Sequence, residues 1–88
     1  MQTSTDHLVD FERAALAGGV EAQYELGLLY STGHGAPPDY VAAHMWLNIA
    51  SARGNVAARR LRAELAGDMS RDQVAEAQRR AREWLARH

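Results

Sequence analysis

The sequence predicts an all-α protein, about five antiparallel helices wound as an α-α superhelix, on three observations. Apolar residues recur three and four apart in five stretches, which is the period of a helix face and not of a strand. Glycine, proline and asparagine punctuate the gaps between those stretches, while valine, isoleucine and threonine are too scattered to build strands. The chain also overlays on itself at an offset of 36, pairing Ala14 with Ala50, Gly18 with Gly54, Val20 with Val56, Ala22 with Ala58 and Leu29 with Leu65. A helix pair repeated at about that period is the mark of a solenoid, in which each unit buries its apolar face only against its neighbours. The overlay is imperfect, since Leu26 falls on Arg62.

Each helix has its own grounds. The first is expected to start at a cap on Asp6, to carry Leu8, Phe11, Ala15 and Leu16 on one face, and to end at Gly18-Gly19. The second, residues 20–30, aligns Ala22, Leu26, Leu29 and Tyr30 and is stopped by the loop STGHGAPPDY. The third starts near Asp39 and places Tyr40, Ala43, Trp46, Leu47 and Ala50 on one side, up to Gly54-Asn55, a pair suited to a left-handed helix end. The fourth covers 56–66 and ends at Gly67. The fifth opens on Ser70-Arg71-Asp72-Gln73, a capping box, and directs Val74, Ala77, Ala81, Trp84 and Leu85 inward.

Composition narrows what these helices can be. Eighty-eight residues make one small domain, which buries only about 60% of the surface its unfolded chain exposes. The chain has no cysteine, so neither a disulfide framework nor a thiolate zinc site supplements the helix interfaces. MQTSTDHLVD has neither a basic start nor an apolar core, and nowhere do about 18 apolar residues run together. These features predict no signal peptide, no membrane span and a cytoplasmic location. Formal charge is −1 overall but uneven. Residues 1–48 hold six acids against Arg13, a net of −5, whereas 49–88 hold nine arginines against five acids, a net of +4.

The stretch GGVEAQYELGLLYSTGHGAPPDYVAAHMWLNIASARGN closely resembles a Sel-one-like repeat, a tetratricopeptide-like helix pair. Ala22, Leu26, Gly27, Tyr30, Gly33, Gly35, Asp39, Tyr40, Ala43, Trp46, Ala50, Gly54 and Asn55 occupy the pattern positions. Ser51 stands where a second alanine is usual, and Gly19 replaces asparagine at the earlier boundary. The resemblance implies a single domain in three parts: 6–19 as the trailing helix of a preceding half-repeat, 20–55 as a complete repeat, and 56–88 as a degenerate repeat that caps the array. It also implies an adaptor or scaffold that binds protein, not an enzyme. Members that tie each repeat with a cysteine pair form a branch to which this cysteine-free chain does not conform.

Residues that suggest chemistry have structural readings. Gly33 and Gly35 permit positive φ angles in the loop, Pro37 and Pro38 stiffen it, and Asp39 caps the next helix. A phosphate cradle needs a lysine and the chain has none. Ser31, His34 and Asp39 lack a nucleophile elbow. His7, His34, His44 and His88 show no metal-ligand spacing, so no metal, cofactor or catalytic residue is assigned, and His44 is expected to be partly exposed. Trp46, Tyr30, Tyr40 and Trp84 read as core, and Gly27 as a place of close helix approach. Arg59, Arg60 and Arg62 with Arg79, Arg80 and Arg82 could meet phosphates, but Glu76 before Arg80 and Glu83 before Arg87 describe a solvated helix face, and nucleic acid is not the expected partner.

What remains for function is the surface the motif leaves free. Glu21, Tyr24, Glu25 and Leu28 fall at i, i+3, i+4 and i+7, one stripe on the first helix of the repeat, with Ala57, Arg60 and Glu64 as the corresponding surface of the fourth helix. A tyrosine and a leucine between acids suit a basic, partly apolar peptide of a partner protein. The alternative is self-association through an exposed end of the stack, giving a homo-oligomer.

Overall fold

The computed structural model describes residues 4–33 and 37–88, and among these it contains five α-helices and no strand. They are α1 (Ser4–Leu16), α2 (Val20–Thr32), α3 (Tyr40–Ala52), α4 (Val56–Ala66) and α5 (Arg71–Arg87). Helix α1 begins ahead of Asp6, which therefore lies inside the helix and not at its cap. Helix α2 continues two residues past Tyr30.

The boundaries show how the repeat is written into the backbone. At the end of α1 the Gly18 and Gly19 N–H groups donate to the Ala15 and Ala14 carbonyls, and at the end of α3 those of Gly54 and Asn55 donate to Ser51 and Ala50. Both are Schellman closures, and both turn on a glycine at φ 100°, a conformation that burdens any residue with a Cβ. The two boundaries differ one residue later. Asn55 Oδ1 accepts the Ala58 N–H at 2.8 Å and caps α4, whereas Gly19 offers α2 no side-chain cap. At α5 the expected capping box forms in both directions, Ser70 with Gln73.

Helix α3 is the axis of the packing, because it touches α2, α4 and α5. Ala43, Leu47 and Ala50 face a cluster completed by Ala58 and Leu65 of α4, with Val20, Tyr24, Tyr40, Leu61 and Met69 around it. Trp46 and Ile49 belong to a second cluster with Ala15 of α1, Ala22 and Leu26 of α2 and Ala81 of α5. Helix α5 thus turns back onto α3 and adds Trp84 and Leu85 to that second cluster, and α4 and α5 do not pack together as α2 and α3 do. Trp84 meets Trp46 edge-on, with ring centroids 5.8 Å apart, while Arg53 lies 5.3 Å over its ring.

Helices α2 and α3 come together at Gly27. A Cβ placed there would stand 2.6 Å from Leu47 Cγ and Cδ2 and 3.3 Å from the Ala43 carbonyl oxygen, and Leu47 is fully buried and has nowhere to retreat. A mid-helix glycine costs about 1 kcal/mol of helix propensity, and here that cost is offset by the close approach. Gly27→Ala regains that propensity but overpacks the interface by about 1–3 kcal/mol. The expected outcome is a net loss of about 1 kcal/mol, with a larger loss for Gly27→Val, read as a lower urea midpoint.

Candidate protein-interaction surface

The loop that stands out in the sequence is a clamp. Gly33, at φ 70°, ends α2 in the left-handed conformation, the Asp39 N–H donates to the Tyr30 carbonyl at 3.0 Å, and Asp39 Oδ1 accepts the Ala42 N–H at 3.0 Å. Asp39 therefore ties the loop to the helix before it and caps the helix after it. The Ser31 hydroxyl donates to the Leu28 carbonyl at 2.8 Å, so it is engaged with its own helix. Gly35 and His34 lie outside the described residues, as does the side chain of His7.

The remaining motif residues build the helix pair. Ala22, Leu26, Gly27, Ala43, Trp46 and Ala50 are buried, and Tyr30 and Tyr40 are half-buried against the clusters. The Tyr30 hydroxyl donates to Glu12 Oε2 at 3.3 Å, linking α2 to α1. Burial, followed by the adjacent Glu12 carboxylate, raises the Tyr30 pKa above its ordinary value and keeps the hydroxyl a donor.

Around this frame lies the stripe. Glu21 is exposed, and Tyr24, Glu25 and Leu28 are half-buried; on α4, Ala57, Arg60 and Glu64 are exposed. Tyr24 packs into the cluster shared with α4, so the stripe borders that helix and the two surfaces adjoin. Neither Glu21 nor Glu25 forms an ion pair among the described residues, whose ion pairs all lie within α5.

Residues 20–55 match the family model described as Sel1 repeat. The chain carries one matched Sel1 repeat. Sel1 repeats are helical and generally mediate protein–protein interaction. No curated protein and no solved structure matched the chain. The matched residues are α2, the clamped loop, α3 and the Schellman turn that leads into α4.

Outside the matched Sel1 repeat, the arginines separate into engaged and unengaged groups. Glu76 pairs with Arg79 at 2.6 Å and with Arg80 at 2.8 Å, and those two guanidiniums hold its carboxyl down at about 2. Glu83 pairs with Arg79, one turn back, and not with the expected Arg87. Arg62 donates to Asn48 Oδ1 at 2.6 Å. Arg59 and Arg60 make no ion pair among the described residues, so the six arginines differ in how far their charge is neutralised. Nor do the described residues place three or more His, Asp or Glu side chains together to hold a metal ion, and no helix is long and apolar enough to cross a membrane.

Two buried polar residues escaped the sequence reading. Gln23 is fully buried and its Nε2 donates to the Ala15 carbonyl at 3.2 Å, joining α1 to the Sel1 repeat. A glutamine on a helix carries no mark that separates this role from an exposed one. His44, expected to be partly exposed, is only 3% exposed, with Nδ1 lacking a hydrogen-bond partner. It sits in the middle of α3, the helix covered from three sides, and that placement overrides its polarity. A missed signal is also visible: Ala43-His44-Met45-Trp46-Leu47 recurs as Ala81-Arg82-Glu83-Trp84-Leu85 at an offset of 38, not 36. It gives α5 the same Ala-x-x-Trp-Leu spacing as α3.

Burial first, and then the positive charge of Arg62, lower the His44 pKa from its ordinary 6.5. The folded state thus resists a proton that the unfolded chain accepts, so stability is unaffected well above pH 6.5 and falls as pH drops below it. His44→Leu removes the titration. In denaturant melts between pH 8 and pH 5, the variant is expected to lose less stability on acidification than the wild type.

Proposed function

We propose that the protein is an adaptor whose α2 stripe, with the adjoining edge of α4, takes a basic, partly apolar segment of another protein. The observation that carries this reading is the stripe itself: Glu21 and Glu25, unpaired among the described residues, flank Leu28 and Tyr24, and of the four only Tyr24 also packs into a core cluster. Tyr24 and Leu28 supply rigid apolar contact and the carboxylates supply orientation and encounter rate. Arg60 and Glu64 at the α4 edge set where an incoming chain must change sign. The interaction role of Sel1 repeats supports the same reading.

In this reading residues 6–19 supply the trailing helix of a half-repeat, 20–55 the recognition unit, and 56–88 the cap. Arg60 and Glu64 support the cap, because they stand where the overlay gives α2 Tyr24 and Leu28, and a terminal repeat needs a polar outer face.

Glu21→Lys/Glu25→Lys reverses the stripe without touching the core. Capture from the native host's lysate is expected to retain a protein on the wild-type chain that the folded variant loses. Because the recognised segment is basic, the retained protein should also elute with added salt. Indistinguishable captures by two equally helical chains would rule the stripe out.

A further inference from the structure

The two ends of the helix stack are complementary to each other. Helix α4 leaves one face uncovered, on which Val56, Arg59, Arg60 and Ala63 fall at i, i+3, i+4 and i+7. Val56, 61% exposed, and Arg60 are the counterparts of Val20 and Tyr24, which in α2 pack into the cluster shared with the next helix pair. Arg59 and Ala63 beside them are both exposed. Ala63 is the counterpart of Gly27, the small residue against which α3 seats Leu47, and the side of α4 that would receive such a helix is bare because α5 packs on α3 instead. At the opposite end, α1 exposes Val9 (43%) and Leu16 (54%), and these with Val56 are the large apolar side chains left in solvent among the described residues. The charges match the shapes. Asp10, Glu21 and Glu25, set against Arg13, make the α1–α2 end acidic, and Arg59 and Arg60, set against Glu64, make the α4 end basic. None of these is in an ion pair among the described residues.

We infer that a second copy of this chain docks head to tail, its α1–α2 pair covering α4 and continuing the superhelix. Val9 and Leu16 of the incoming copy approach Ala63 and Val56, and Asp10 and Glu25 approach Arg59 and Arg60. Such a contact is heterologous, the acceptor surface of one copy meeting the donor surface of the next, so it does not close at two. Charged and small residues dominate the joint, so the association is weak and strengthens as salt is lowered. The joint shares Glu25 and Arg60 with the surface of the α2 stripe reading but does not rest on it, and the mass of the isolated chain in solution tests the joint alone.

Sedimentation velocity tests it, with the wild-type chain at about 20 mM and about 500 mM salt over a wide concentration range. The weight-average mass is expected to climb from 9.7 kDa past twice that value at low salt and to fall back at high salt. Arg59→Glu/Arg60→Glu makes both ends acidic and Asp10→Arg/Glu25→Arg makes both basic. Each variant alone is expected to stay at 9.7 kDa with wild-type helicity, and an equimolar mixture to recover the association. A wild-type mass fixed at 9.7 kDa at every concentration and low salt overturns the inference, as does growth that the reversals leave unchanged or that stops at a salt-insensitive dimer. Retention of a foreign protein by a strictly monomeric wild type would overturn it too, while leaving the stripe reading in place.

Discussion

The contact between Gly27 and Leu47 sets the geometry on which the other helices depend. With no side chain at residue 27, α2 lies close enough to α3 for the fully buried Leu47 to press on its backbone. That proximity brings Ala22 and Leu26 of α2 into one cluster with Trp46 and Ile49 of α3, and it lets Val20 and Tyr24 reach the cluster shared with α4. The stripe is a by-product of this arrangement. Once the inward positions of α2 are committed to packing, Glu21, Glu25 and Leu28 are left toward solvent, with Tyr24 held between core and surface.

Much of the fold could be read from the sequence because its determinants are local. Gly18, Gly33 and Gly54 mark real left-handed turns, Asp39 and Ser70 cap the helices they precede, and the apolar spacing of α2 and α3 names their buried faces. What could not be read depends on which helix meets which. His44 is buried because α3 is covered from three sides, a property of the assembly and not of the helix period. The choice of Glu83 between Arg79 and Arg87 rests on rotamers that spacing leaves equal. The position of α5 was hidden for a different reason: its Ala-x-x-Trp-Leu segment is shifted by two residues from the main repeat, and an overlay at 36 sets arginines against the positions of Ala43 and Trp46.

The candidate surface was legible to a different degree. Sequence spacing groups Glu21, Tyr24, Glu25 and Leu28 on one side of a helix, and their exposure follows once the motif positions are assigned inward. The relation between Tyr24 and α4 is tertiary, as is the division of the arginines into those held by Glu76, Glu83 or Asn48 and those left unengaged. Charge totals for the two halves of the chain describe an imbalance, whereas side-chain pairing decides which of those charges face outward unneutralised.

The return of α5 to α3 has a consequence for how the molecule comes apart. In a regular helical array each unit leans only on its neighbours, so an end can fray while the middle holds. Here the last helix is fastened to the middle, through Trp84 on Trp46 and Arg53 over Trp84, and loosening it strips one side of the central helix. Helix α4, held mainly from the α3 side, can open without disturbing that junction. Backbone amides should therefore exchange with solvent in an order that does not follow the chain, with α3 protected most and α4 opening ahead of the later α5.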